Sequence, residues 1–500
     1  MSTGGGSILV VDVGTSGVRA AIVRPDATVE HEHRVPLLPD SPAPGLVQFD
    51  AARMADAILE VAGAALEDGG PVAGVGIANQ RASSIVWERS TGKPVAPGIG
   101  WQDLRTVGTC LVFQAEGIRL APNASATKVM AILDDVDPER SRAEKGELCF
   151  GTVDSWVAWT LSGGAAGGSD ALHVTDATNA AVTALVDAGI GWDEALLEKL
   201  RIPLPMLPVI VDSSGAVGSA TALPGSPPIC GIAGDQQASL VGQGCTLPGL
   251  AKATFGTGGM LDQCVGPGAA PGAMGRGDAG TFPIVAFRVD GQATWGTEAV
   301  MLSAGACIEW LRDDLGIIAT SKESETVAAL CTTAGDVWFV PALLGLGTPV
   351  WDFGARGTLV GLTRGSGRPE IVRAVLEGVA HRGADLVEAS ERDSGFPIAA
   401  LRIDGGMTDN DVFVQALADA IGRSVEISPV QEATTLGAGL LAGLAIGTYA
   451  TTTELAGTFS PRRTVEPQGN DADRVAARDR WLAARLKAEG TIPELSGISF

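Results

Sequence analysis

Short apolar blocks alternate with helical periodicities along most of the chain. Residues 7–23, SILVVDVGTSGVRAAIV, read as a strand, a glycine turn and a second strand. Residues 50–66 carry apolar side chains at helical spacing behind Asp50, which predicts a capped helix. VAGVGIANQ (72–80) is a strand that runs into Arg81. GTVDSWVAWTLSG (151–163) and WDEALLEKLRI (192–202) predict helices, with Gly151 and Thr152 available to an entry loop. The Pro-rich stretch 203–218 reads as connecting chain. PPICGIAGDQQASLVGQG (227–244) is a strand, a glycine turn and a helix start.

Near residue 250 the pattern restarts. LAKATFGTGGMLDQCV is again strand, glycine turn, strand, a low-identity echo of residues 7–23. Helices follow over 300–316 and 368–395, the second with Ile371, Val372, Val375, Leu376 and Val379 on one stripe. Then come a strand (400–406), a helix (410–422), a strand (424–428), a helix (435–447), a linker (459–471) and a final amphipathic helix (474–490). Strands alternating with helices predict α/β layers, and two halves opened by similar hairpins predict two related domains around a central cleft.

Composition narrows the partners. The formal charge of −23 argues against nucleic acid and against an anionic membrane surface. Seven cysteines form no C-x-x-C pair, so free thiols are expected rather than a disulfide framework or zinc site. The N-terminal segment lacks a signal-peptide pattern, and no apolar run has the length of a membrane span, so a soluble cytoplasmic protein is expected. Nothing in the sequence sets the oligomeric state, and a homo-oligomer is compatible with it.

Three glycine turns carry candidate chemistry. Asp12 ends a strand and precedes Gly14, Thr15, Ser16 and Arg19, which together offer backbone amides, hydroxyls and a cation to phosphates. Asp12 itself suits Mg²⁺ held through waters. The second turn holds Gly256, Thr257, Gly258 and Gly259, and no Walker loop occurs. In IDGGMTDN, Gly405 and Gly406 let a flat base approach, and Asn410 either meets an adenine edge or caps the next helix. Asp235 is either a helix cap or a general base for a hydroxyl attacking a γ-phosphate, with Gln236 beside it to hold a substrate hydroxyl. Arg81 is either part of a solvated turn or a grip for an oxygen-rich ligand.

The ordered set VDVGTSGVRA, GIANQR, WQDLRT, GELCFGTVDSW, HVTDATNA, GIAGDQQASLVGQ, FGTGG, AGACIEWLRD, VPALLGLGTPVWDFGARGTLVGLTRG and LRIDGGMTDN resembles the FGGY carbohydrate kinase family, its glycerol-kinase branch above all. The resemblance spans almost the whole chain. It implies an actin-like ATPase fold: an α/β chain with two ribonuclease-H-like domains and a central cleft. Residues 1–246 would hold the acceptor and one phosphate hairpin, and 247–500 the adenine. It implies that Asp235 is the base and that Asp12, with Asp235, supports Mg²⁺. Thr15, Ser16, Arg19, Gly256, Thr257, Gly305, Glu309, Gly406 and Asn410 would meet ATP. Arg81, Trp101, Asp235 and Gln236 would surround a polyol or sugar.

Four positions depart from the glycerol-kinase pattern. Its Glu after NQR is Ala82, its aromatic pair is Asn123 and Ala124, and its adenine-side Gln is Glu309. The expectation is therefore an ATP-dependent kinase whose acceptor, bordered by Ala82 and Asn123, is larger than glycerol. Two alternatives stay open. One is a glycerol kinase in which Gln80 or Asp103 replaces the missing carboxylate. The other is a non-catalytic actin-like ATPase, which would have no need of Arg81, Trp101 and Asp235 together.

Overall fold

The computed structural model of the protein describes residues 6–167, 170–268, 270, 275–430 and 432–498. Among the described residues, thirteen strands form one long mixed sheet built from two copies of one pattern, and the others pair in four two-stranded sheets. In the first, strands lie in the order Pro228–Gly234, Gly74–Asn79, Ile8–Gly14, Gly17–Val23 and Val29–Pro36. The first three are parallel, and the last two continue as an antiparallel meander. In the second, Ser424–Ile427, Ala400–Asp404, Ala251–Phe255, Gly259–Pro267 and Gln292–Met301 repeat that order and those directions. The restart near residue 250 is thus a duplicated topology.

Three sequence expectations are corrected. The linker expected over 459–471 contains strand Arg463–Val465, which pairs with Ser424–Ile427. The Pro-rich stretch contains strands Val209–Val211 and Ser214–Ser219, and the second joins the two halves of the sheet. The helix expected over 300–316 is shorter. Val300 and Met301 finish a strand, and a turn of α-helix at Ala306–Glu309 passes into a π-helical turn at Trp310–Asp314. Helix formation is delayed because the Gly305 amide is used by the Gly256 carbonyl, at 2.8 Å.

Asp50 caps helix Ala51–Gly69 by accepting from the amides of Ala52 and Arg53, as its position predicts. Helix Asp235–Gly242 follows its strand without a loop. It is clamped by helix Ala433–Ala445, whose Gly437 lies so close to the Ala238 carbonyl that a β-carbon would not fit. Small residues in that helix therefore fix the helix that begins with Asp235. All seven cysteines are free, and six are buried.

Candidate active site

The carboxyl ends of the parallel strands converge on one cleft, the usual place for ligands in an open α/β sheet. Gly14 ends the first strand, Gln80 and Arg81 follow the second, Asp235 follows the third, and Gly256 and Gly405 follow their counterparts in the second half. Strand polarity alone brings these separated segments together.

Arg81 is at the centre. Its Nη2 lies 2.7 Å from Glu298 Oε2, and its Nε lies 3.4 Å from Asp235 Oδ1. Nη2 also points at Met260 Sδ, at 3.9 Å, just past the second glycine turn. Nη1 is buried and has no hydrogen-bond partner among the described residues. Burial works against the guanidinium charge, but Glu298 and Asp235 outweigh it and raise its pKa. Burial lifts the Glu298 carboxyl to about 7 against the pull of Arg81. Asp235 is likewise raised by burial and opposed by Arg81, and its side chain stays 32% exposed.

Gln236 is oriented from behind. Lys252, fully buried, donates to Gln236 Oε1 at 2.6 Å and pairs with Asp262 at 2.8 Å. Among the described residues the Asp235 carboxylate accepts a hydrogen bond only from the Gln236 amide, at 2.8 Å. As the first residue of its helix, it is not spent as a cap on the later amides.

Three segments form one wall beside Arg81. The Trp101 amide donates to Ser83 Oγ, at 3.1 Å, and Ser125 Oγ donates to the Ala82 carbonyl, at 3.0 Å. The Trp101 indole, 39% exposed, donates to Thr15 Oγ1 at 3.2 Å and so meets the first phosphate turn. Ala82 is buried with φ +60°, a left-handed conformation unfavourable for alanine. Asn123 is exposed, and its side chain makes no hydrogen bond among the described residues. Gln80 is committed to the Gly14 carbonyl and Ser83 Oγ. Asp103 is committed to the Val47 amide and a two-point pair with Arg105. Both side chains are thus engaged within the chain.

On the nucleotide side, Asp12 faces Asp235. Burial lifts its carboxyl to about 6, Arg19 opposes the rise and Asp235 adds to it. A β-carbon built on Gly256 or Gly406 would meet nothing within 4 Å, so both backbones border open space. Gly305 is packed against Gly256 and supports the turn that carries Thr257. Two expected phosphate or adenine contacts are engaged within the chain. Arg19 pairs with Glu432 and, at 3.5 Å, with Glu32. Asn410 caps helix Asp411–Ile421 through the Phe413 amide and donates to Ser324 Oγ. Ser16 and Glu309 are exposed.

Comparison with known proteins decides the family. The N-terminal and C-terminal domain models of the FGGY family of carbohydrate kinases match residues 7–242 and 270–446. The chain belongs to the FGGY family of carbohydrate kinases. It is 41% identical to a glycerol kinase of Aromatoleum aromaticum, across 97% of this chain and 99% of that one. It is 38% identical to glycerol kinase 2 of Thermotoga maritima, across 97% and 99%. The crystal structure of Plasmodium falciparum glycerol kinase with ADP superposes with a TM-score of 0.89 at 25% identity, covering 99% of both chains. A xylulose kinase of Lactobacillus acidophilus shares the fold with a TM-score of 0.84. This FGGY kinase therefore has the two-domain, ribonuclease-H-like fold of actin-like ATPases, and it is an ATP-dependent phosphotransferase. No described helix is long and apolar enough to cross a membrane.

Sequence reasoning missed Glu298, Lys252 and Asp262. The last two were recoverable: a hairpin turning at Gly256–Gly258 puts Lys252 opposite Asp262. Glu298 left one signal, a lone carboxylate in the otherwise uncharged strand Gln292–Met301.

Proposed function

We propose that this FGGY kinase transfers the γ-phosphate of ATP to a primary hydroxyl of a small polyol or sugar, one larger than glycerol. The observation that carries the size is the wall beside Arg81. Ala82 stands where the glycerol-kinase pattern has a glutamate, and Asn123 presents an unbonded amide where it has an aromatic side chain. A further hydroxyl on a longer acceptor would find a donor and an acceptor there.

In this reading Asp235 takes the hydroxyl proton as the oxygen attacks phosphorus, since an alcohol is a weak nucleophile at neutral pH. Arg81 offers its free Nη1 to acceptor hydroxyls, and Gln236, held by Lys252, presents its amide nitrogen. Trp101 covers the carbon chain. Thr15, Ser16, Gly256 and Thr257 cradle phosphates with backbone amides and hydroxyls. Arg19 reaches phosphate by leaving Glu432, while Gly305, Gly406, Glu309 and Asn410 flank the adenosine. Acceptor and first hairpin belong to residues 1–246, and the adenine side to 247–500.

The residues fit Mg²⁺. Burial lifts the Asp12 carboxyl and the Asp235 charge adds to the rise, so a cation beside Asp12 would be favoured. Among the described residues no three His, Cys, Asp or Glu side chains gather into a metal site, which suits an ion held mainly by waters and phosphate oxygens. When bound, it would neutralise charge building on the transferred phosphoryl group.

A second reading is supported by Glu298. A carboxylate 2.7 Å from Arg81 accepts acceptor hydroxyls in place of the one absent at position 82, and the site then suits glycerol, the substrate named for the relatives above. One experiment separates the two: ADP release from ATP and Mg²⁺ with glycerol, dihydroxyacetone, tetritols, pentitols and ketopentoses. The first reading expects kcat/KM to be highest for a four- or five-carbon acceptor; a maximum at glycerol overturns it.

A further inference from the structure

Lys128 is fully buried on helix Ser125–Val136. No carboxylate lies within ion-pair distance of it among the described residues. Its Nζ donates instead to two backbone carbonyls, Asn123 at 2.9 Å and Trp101 at 3.1 Å. These carbonyls come from separate loops, the two that carry Trp101 and Asn123.

A buried lysine without a counter-ion is costly, because a low-polarity interior disfavours its charge. Burial pushes the Lys128 pKa down to about 7, with Asp103 only partly offsetting it. Asp103 cannot serve as a direct partner, since its oxygens are taken by Arg105 and the Val47 amide. Methionine would fill the same volume at less cost, so packing does not account for the residue. The two carbonyls do. Each is part-buried, and without this shared donor nothing else among the described residues would tie the two loops together at this point.

We propose that Lys128 is a positioning residue for the phosphoryl acceptor: by joining the Trp101 and Asn123 carbonyls it fixes the spacing between these two side chains across the acceptor pocket. The proposal rests on the reading above that Trp101 and Asn123 border the acceptor. Lys128 reaches neither acceptor nor ATP; it acts through the two loops. The Trp101 indole is tied to Thr15 at its other end, so the Asn123 loop is the one that drifts when the bridge is lost.

The test measures initial rates for Lys128→Met and Lys128→Gln with the best acceptor of the wild-type enzyme. Met keeps the bulk and loses the donors; Gln keeps a shorter donor. The expected result is an acceptor KM raised at least tenfold in Lys128→Met, an ATP KM within twofold of wild type, and partial recovery of the acceptor KM in Lys128→Gln. Equal changes in both KM values, or a folded variant with wild-type acceptor KM, overturn the proposal. If Lys128→Met does not fold, Lys128→Gln decides: an unchanged acceptor KM counts against the proposal and a selective rise supports it. A wild-type enzyme that phosphorylates no polyol or sugar would instead refute the underlying functional reading.

Discussion

Arg81 of the first half and Glu298 of the second half meet at 2.7 Å across the cleft, with Asp235 3.4 Å from Nε of the same guanidinium. The pair is 11% exposed on each side, so it is weakly screened and removing one partner would strand the other. Glu298→Gln keeps the shape and a hydrogen-bond acceptor but removes the charge. Arg81 then has Asp235 as its nearest anion and moves toward it. The expected outcome is an acceptor KM raised about 10- to 100-fold, the effect of losing a charge-assisted bond of roughly 1.5–3 kcal/mol. ATP affinity should hold. Acceptor kinetics identical to wild type would reduce the pair to a structural link between halves.

Asp235 tests the chemistry itself. Asp235→Asn preserves size and removes basicity. Turnover should fall by about 100-fold or more, since general-base assistance contributes that much. Nucleotide binding, followed by ligand-induced rise in melting temperature, should change little. Turnover near wild type would return Asp235 to the role of a helix-start residue.

Local pattern made the hairpins, the capped helix at Asp50 and the strand ends legible, because each depends on residues close in sequence. The turns at Gly14–Gly17 and Gly256–Gly259 even fix the cross-strand partners Asp12 with Arg19 and Lys252 with Asp262. Glu298 opposite Arg81 was hidden for the opposite reason: it depends on how two halves of the sheet face each other, which no local periodicity encodes. Asn410 shows a third case. Its two readings, cap and adenine contact, use the same side chain, and only the bond to the Phe413 amide shows that the cap is formed here.

The C-terminal helix predicts a pH dependence of stability. His381 stacks on Trp481, ring centroids 5.4 Å apart, beside Arg478. Burial, reinforced by Arg478, holds its pKa down to about 3, against 6.5 for the free side chain. Below pH 6.5 the unfolded chain takes up a proton that the folded chain refuses, so stability falls as pH drops from 6.5 toward 3. His381→Phe removes this penalty while losing some packing. Its deficit relative to wild type should therefore shrink by about 2 kcal/mol between pH 7 and pH 5 in denaturant titrations. A deficit constant over that range would mean that His381 titrates normally.

Acceptor preference is the prediction that bears most on function. Ala82 already holds the left-handed backbone, at φ +60°, so Ala82→Glu adds a carboxylate with little new backbone strain. The segment around it is fixed by Ser125 on the Ala82 carbonyl and by Trp101 on Ser83. A glutamate here would sit beside Arg81 and compete with Glu298 for the same hydroxyls and the same cation. Shortening the pocket in this way favours a three-carbon acceptor over a longer one. The ratio of kcat/KM for glycerol to that for the best longer acceptor should rise about 10-fold or more in Ala82→Glu. Asn123→Phe should move the ratio in the same direction by filling the space beyond. If both variants leave the ratio unchanged, acceptor length is set by residues other than Ala82 and Asn123, and the wide-pocket reading is wrong.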